Sequence, residues 1–126
     1  MKKLLPPIGV LLLLFLLSAL NSSAIARMTQ QWQDQILSAE SSAIQGRWDD
    51  AAAILETSCR DWEHAQLYLH IVLERSALDD AQAMYCRAMA FALAEDPAEF
   101  RAETADLRAH LTLLAETEAF SLKNIL

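Results

Sequence analysis

The apolar positions are most regularly spaced between Trp48 and Leu73. Alternating steps of four and three residues from Trp48 reach eight positions, seven of them apolar: Trp48, Ala52, Leu55, Cys59, Trp62, Gln66, Leu69 and Leu73. This spacing places one apolar seam along one side of an α-helix, where it faces a partner helix. We therefore predict a central helix that begins near Trp48 and ends near Arg75.

A helix is also predicted before this seam, from Arg27 to Gln45, with Trp32 and Ile36 on its apolar face. Gly46 is its natural stop, because glycine takes the left-handed cap conformation without strain. If an N-terminal membrane anchor is retained, we expect this helix to be continuous with it.

Two further helices are predicted after the seam, from about Ala77 to Glu95 and from Pro97 onward. Capping-box spacing favours a boundary at Ser76-Ala77-Leu78-Asp79. The same spacing at Ser58 offers an alternative break, which we place second because the seam runs through it. Asp96-Pro97 ends the third helix, since the residue before proline is pushed out of helical geometry.

The N-terminal residues have the layout of a targeting segment. Lys2 and Lys3 precede an apolar run over residues 8–20, and the small-residue pattern Ala24-x-Ala26 follows. We predict that residues 1–26 form a membrane anchor or a cleaved secretory signal. Both alternatives place residues 27–126 outside the cytoplasm, and the anchor also leaves the N-terminus inside.

Composition favours an all-α fold and limits the partners. The chain contains two glycines and three prolines in 126 residues, too few turn formers for a β-sandwich or barrel. We predict an anchor helix followed by a small antiparallel bundle of three to four helices. Residues 27–126 carry eight basic and 17 acidic side chains, giving a net charge of −9. Such an acidic surface disfavours binding to nucleic acid and to anionic lipid.

Six residues are predicted to form the structural core: Trp32, Trp48, Leu55, Trp62, Leu69 and Leu73. Tryptophans at seam positions usually pack inside a bundle, where they bury large areas. The alternative is a ligand groove lined by tryptophan.

No catalytic or metal-binding constellation is recognisable, so we expect no enzyme activity, no cofactor and no metal. Cys59 and Cys86 are expected to stay unbridged, because facing helices that turn near Ser76 separate them by about 10 Å along the axis. A disulfide, and a redox or metal sensor, are the alternatives. His70 and Glu74 share an i, i+4 helical face, but zinc needs three or four ligands.

The C-terminal tail is the candidate partner-binding segment. It is too apolar for a solvated end, and its proposed contact residues are Phe120, Leu122, Asn124, Ile125 and Leu126. We expect it to fold back on the bundle or to dock on a partner.

Two resemblances add to this interpretation. Gly46-x-Trp48-x-x-Ala51 resembles the turn within a tetratricopeptide repeat, but no second copy follows 34 residues later, which favours a lone helical hairpin. The whole layout resembles a family of short, uncharacterised proteins of spore-forming Gram-positive bacteria, a domain of unknown function. The matching features are the Lys-led anchor, Trp48 and Trp62, His70 with Glu74, and the closing Glu118-x-x-Ser121-Leu122-x-Asn124-Ile125-Leu126. Arg75, Ser76 and Ala77 depart from that pattern. The resemblance implies a membrane-anchored helical fold, and it supplies no mechanism because the family has no assigned activity.

The favoured function is therefore that of a membrane-tethered, extracytoplasmic helical protein that binds another protein. The expected partner is an integral membrane or envelope protein, or a second copy. The alternative is a secreted helical module that binds a peptide or small ligand.

Overall fold

The computed structural model describes the backbone of residues 5–125 and the side chains of residues 6–71 and 73–117. This part of the chain forms four α-helices and no strand: α1 (Leu5–Ile44), α2 (Trp48–Val72), α3 (Arg75–Leu93) and α4 (Pro97–Ile125). Each helix packs on two others in the closed order α1, α2, α3, α4. The all-α prediction is confirmed, and the apolar N-terminal segment runs without interruption into the first helix of the bundle.

Two turns close the end of the bundle that we call the far end (residues 45–47 and 94–96). At the first turn, Gly46 has a φ of 77°. Its N–H donates to the carbonyl of Ala43, and the N–H of Arg47 donates to the carbonyl of Ser42. These bonds form a Schellman cap, so Gly46 ends α1 as the sequence predicts.

The second far-end turn repeats that hydrogen-bond pattern without glycine. Glu95 has a φ of 53°, and its N–H donates to the carbonyl of Ala92, while the N–H of Asp96 donates to Phe91. A side chain in the left-handed region is strained, because its Cβ crowds the following carbonyl. The sequence signal at Asp96-Pro97 locates this turn but does not reveal the strain.

The opposite end, which we call the near end, contains the α2–α3 junction at residues 73 and 74. Leu73 is extended, with φ −121° and ψ 157°, and Glu74 precedes α3 without a side-chain cap. The predicted capping box is therefore wrong, because Ser76 lies inside the first turn of α3. Ser58 does not break α2 either; it is fully buried in mid-helix.

The core runs along the inner face of all four helices. Trp32 of α1 meets Trp62 of α2 edge-to-face, with ring centroids 5.1 Å apart. Trp62 also lies 6.1 Å from the ring of Tyr85 in α3. This aromatic cluster holds both α1 and α3 against α2, and α4 closes the bundle with buried residues that include Leu107 and Leu111.

Candidate functional site

The six predicted core residues do not share one environment. Trp32, Leu55, Trp62 and Leu69 are at most 2 % exposed, whereas Trp48 and Leu73 are only partly buried. Trp48 and Leu73 start and end the seam, so each lies where α2 meets a turn. The seam is therefore buried at Leu55, Cys59, Trp62 and Leu69 and partly exposed at its two ends.

A buried polar pair lies beside the tryptophans. The hydroxyls of Ser58 and Tyr85 are 2.8 Å apart and hydrogen-bonded, and both residues are fully buried. Burial raises the pKa of the Tyr85 phenol well above its usual range, although the bond to Ser58 opposes this. Periodicity misses this pair, because Ser58 is not apolar and its partner lies on another helix.

The two cysteines are free, and they differ in accessibility. Cys59 is buried, and its Sγ lies 3.8 Å from Oε1 of Glu63, to which it donates. Burial and the Glu63 carboxylate raise the pKa of the Cys59 thiol to about 11. A thiol that stays protonated at neutral pH is a poor nucleophile and a poor metal ligand. Cys86 is exposed.

The predicted pairing of His70 and Glu74 on one helical face is wrong. α2 ends at Val72, and Glu74 precedes α3. His110 of α4 instead makes a bond between helices: its Nε2 lies 2.8 Å from the carbonyl of Ala77 and acts as the donor. Over the described side chains, no group of three or more His, Cys, Asp or Glu residues is arranged to hold a metal ion.

A groove of about 450 Å³ opens at the far end, between the end of α1 and the starts of α2 and α4. Trp48 and Phe100 form part of its apolar lining, edge-to-face at 5.4 Å. Arg108 and Glu40, also in the lining, form an ion pair of 3.1 Å. Arg101 lies beside them, exposed and outside the ion pairs found among the described side chains. The groove thus combines an apolar surface with one uncompensated positive charge.

The proposed contact residues of the tail lie mostly within α4. Phe120, Leu122, Asn124 and Ile125 continue the helix, so the tail is not a separate segment that folds back. Their side chains, and Leu126 altogether, fall outside the described residues. Two antiparallel contacts, Gln33 with Thr112 and Glu40 with Arg108, set α4 alongside α1.

The apolar segment of α1, residues 8–20, lies outside the bundle. Its large side chains are 38–66 % exposed around the whole helix, and complete burial first occurs at Ile25. Among the described residues, α1 is the one helix long and apolar enough to cross a membrane, with a mean hydropathy of 2.2 over its most apolar 18 residues. A membrane anchor and a signal sequence both meet that description.

Comparison with protein families gives one match. Residues 19–125 match the family described as Domain of unknown function (DUF4363), and the chain belongs to that family. The match begins inside the apolar segment of α1 and extends to the end of α4. No curated protein and no solved structure matches the chain.

Proposed function

We propose that this protein is a single-pass, membrane-tethered helical bundle that works by binding another protein and not by catalysis. Residues 1–26 contain the anchor, and residues 27–126 form the extracytoplasmic bundle. The observation that carries the proposal is the continuity of α1, whose first half presents apolar side chains in every direction while its second half is built into the core. Such a helix suits a bilayer at one end and a bundle at the other.

Retention of the anchor is supported by Ile25. This side chain is fully buried, yet it lies within the Ala24-x-Ala26 pattern that a signal peptidase would read. Cleavage after Ala26 would remove Ile25 from the core. Cleavage after Ala24 would place a charged amino terminus directly on it, and a buried charge is strongly unfavourable.

The orientation follows from charge. Lys2 and Lys3 stand before the apolar segment, and positive residues favour the cytoplasmic side of a membrane. The acidic residues all follow Arg27, so the bundle would face the outside. The match to the family begins at residue 19, so the family domain includes the end of the apolar segment.

Cys86 is a natural reporter for this topology. It is the exposed cysteine, while Cys59 is buried and protonated. A membrane-impermeant maleimide added to intact cells should label the full chain once, and Cys86→Ser should abolish labelling. Labelling that occurs only after the cells are opened would contradict the extracytoplasmic location. The intact mass of the purified protein tests retention, because cleavage would remove residues 1–24 or 1–26.

The interaction role is tested by cross-linking in the native membrane. A photo-reactive residue at Phe120 or Leu122 should give an adduct with an integral membrane protein, an envelope protein or a second copy. The same residue at exposed Ala53, on the outer side of α2, is the control. If neither tail position gives a protein adduct, the partner-binding role of the tail is wrong.

The far-end groove favours a second candidate function, binding of a small ligand with an apolar body and one negative charge. Trp48 and Phe100 would contact the apolar part, and Arg101 would attract the charge. 4-Phenylbutyrate should shift the fluorescence of Trp48, whereas the neutral 4-phenylbutanol should bind more weakly. Arg101→Gln should remove the difference in affinity between the two probes. Trp48→Phe should abolish the fluorescence shift, which identifies Trp48 as its source. Equal response to both probes would exclude an anion site.

A further inference from the structure

Two large apolar side chains protrude from the near end of the bundle. Leu67 is 81 % exposed and Ile71 is 78 % exposed. They are four residues apart in α2, so they lie on the same face of the helix and form one patch, which we call the near-end patch. Neither contributes to the seam, whose nearby member Leu69 is fully buried.

The position of the near-end patch relative to the apolar segment can be read from the α1–α2 packing. Trp32 packs on Trp62, and Nε2 of Gln35 donates to Oδ2 of Asp61 at 2.9 Å. The two helices are therefore antiparallel. If the pairing of α1 with α2 is continued toward the near end, Ile71 lies level with about residue 24 of α1 and Leu67 lies level with about residue 28.

This level coincides with a bilayer's interfacial layer. At about 1.5 Å per residue, residue 24 is roughly 6 Å beyond Leu20, the last residue of the apolar segment. The polar layer of a bilayer extends about 5–8 Å beyond the hydrocarbon on each side. Ile71 falls within that layer, and an ordinary helix tilt of about 20° toward the α2 side brings Leu67 to it.

The charges near the patch favour a neutral lipid surface over an anionic one. The exposed ionisable neighbours along the chain are of both types: Glu63 and Glu74 are acidic, Arg75 is basic, and His64 and His70 lie beside them. A site for anionic lipid needs a cluster of basic residues, which this mixture does not supply. Apolar insertion, by contrast, requires only the exposed Leu and Ile side chains.

We propose that Leu67 and Ile71 insert into the interfacial layer of the bilayer that holds the apolar segment of α1. This second lipid contact fixes the direction in which the bundle tilts and its rotation about α1. The inference rests on the proposed function, because it requires α1 to be embedded. It goes further in assigning a lipid-binding surface to the bundle itself.

The chain contains a matched control. Ile44 is the same residue type, is also 78 % exposed, and lies at the far end. Ile71→Cys and Ile44→Cys are made separately in the full chain with Cys86→Ser, leaving buried Cys59 in place. Each is labelled with bimane and reconstituted in liposomes of zwitterionic phosphatidylcholine, with and without lipid carrying a nitroxide near the headgroup.

The label at position 71 should emit at shorter wavelength and be quenched several-fold more by the nitroxide lipid than the label at position 44. High salt should not reverse this, since no basic cluster is involved. Equal emission and quenching at the two positions would overturn the inference. A short-wavelength emission at position 71 without quenching would overturn it too, by showing that a second copy covers the patch.

Flotation of the same liposomes separates this inference from the function on which it rests. Chains that float with the lipid but show equal quenching contradict the near-end contact alone. Chains that fail to float contradict the membrane tether itself. The double variant Leu67→Asn with Ile71→Asn should float with the lipid and keep the circular dichroism of the parent, because the patch is needed neither for the tether nor for the fold.

Discussion

Residues 8–20 and residues 25–44 belong to the same helix but differ in which side chains are covered. In the first range the large apolar side chains are exposed on every side, whereas in the second buried positions recur on one face, as at Ile25, Trp32, Ile36 and Ala39. The backbone hydrogen bonds are the same in both halves, so they do not make the distinction. The periodicity of burial makes the distinction: the second half is built into a protein core, whereas the first half is apolar on every side and packs on no part of the bundle.

Damage to the core half of α1 and its partners should have the largest effect on the stability of the bundle. Trp62→Ala should lower the free energy of unfolding of the bundle by about 3–5 kcal/mol, because it leaves a large cavity beside Trp32 and Tyr85. Urea denaturation of the full chain in detergent, followed by circular dichroism, measures the effect. Leu14→Ala in the apolar segment is the control and should leave the unfolding transition unchanged. Similar losses from both changes would mean that the apolar segment also packs on the bundle.

The converse change should affect the apolar half of α1 alone. Leu14→Arg puts a charge at the middle of the apolar segment and should disfavour insertion by about 2.5–3.5 kcal/mol. Alkaline carbonate extraction of membranes should release this variant more readily than the parent. Its bundle should still unfold at the parent's urea concentration, since residue 14 makes no core contact. A bundle that becomes unstable would contradict the division of α1 into two environments.

A smaller effect tests the two far-end turns, which share one hydrogen-bond pattern. Gly46→Ala should destabilise by about 1 kcal/mol through backbone strain alone, because a Cβ there meets no atom within 4 Å. Glu95→Gly should stabilise by about 0.5–1 kcal/mol, since it relieves strain at a φ of 53°. Glu95→Ala removes the charge but keeps the strain, so it should not stabilise. Stabilisation by Glu95→Ala would assign the effect to charge and not to conformation.

A last test concerns the pH dependence that the buried thiol of Cys59 gives to the free energy of unfolding. Its folded-state pKa of about 11 lies above the usual 9.0. The protonated thiol's contribution to stability is therefore complete below about pH 9 and is lost as the pH rises through about 11. Cys59→Ala should weaken the fall in urea midpoint between pH 9 and pH 11, whereas Cys86→Ala at the exposed position should not. Equal slopes in the parent and Cys59→Ala would show that the thiol stays solvated.

The fold was largely predictable because its signals are local. The seam positions in α2, the glycine at residue 46 and the proline at residue 97 each act within a few residues, and the structure places helix ends close to all three. The α2–α3 boundary was misplaced toward Ser76, because a capping motif is weak compared with the packing on either side. Leu73 is extended and still partly buried. Packing of this side chain therefore accompanies the end of α2, and no side-chain cap is present at the junction.

The surface sites were harder to predict because they join distant parts of the chain. The far-end groove brings Trp48 against Phe100, more than fifty positions away, and no periodicity connects the two. The near-end patch was hidden for a different reason. Leu67 and Ile71 lie off the seam. Only the antiparallel register of α1 and α2 shows that these two residues lie near the end of the apolar segment.

The uninterrupted α1 also has a mechanical consequence. No hinge separates residues 5–44, and about 30 Å of this helix, from residue 25 to residue 44, is clamped inside the bundle. If the apolar segment is embedded in a bilayer, the rigid part of α1 inside the bundle would act as a lever. A sideways force on the far end would then tilt the part of α1 within the lipid. The angle of the anchor and the position of the far end would then change together, so that pulling on one reorients the other.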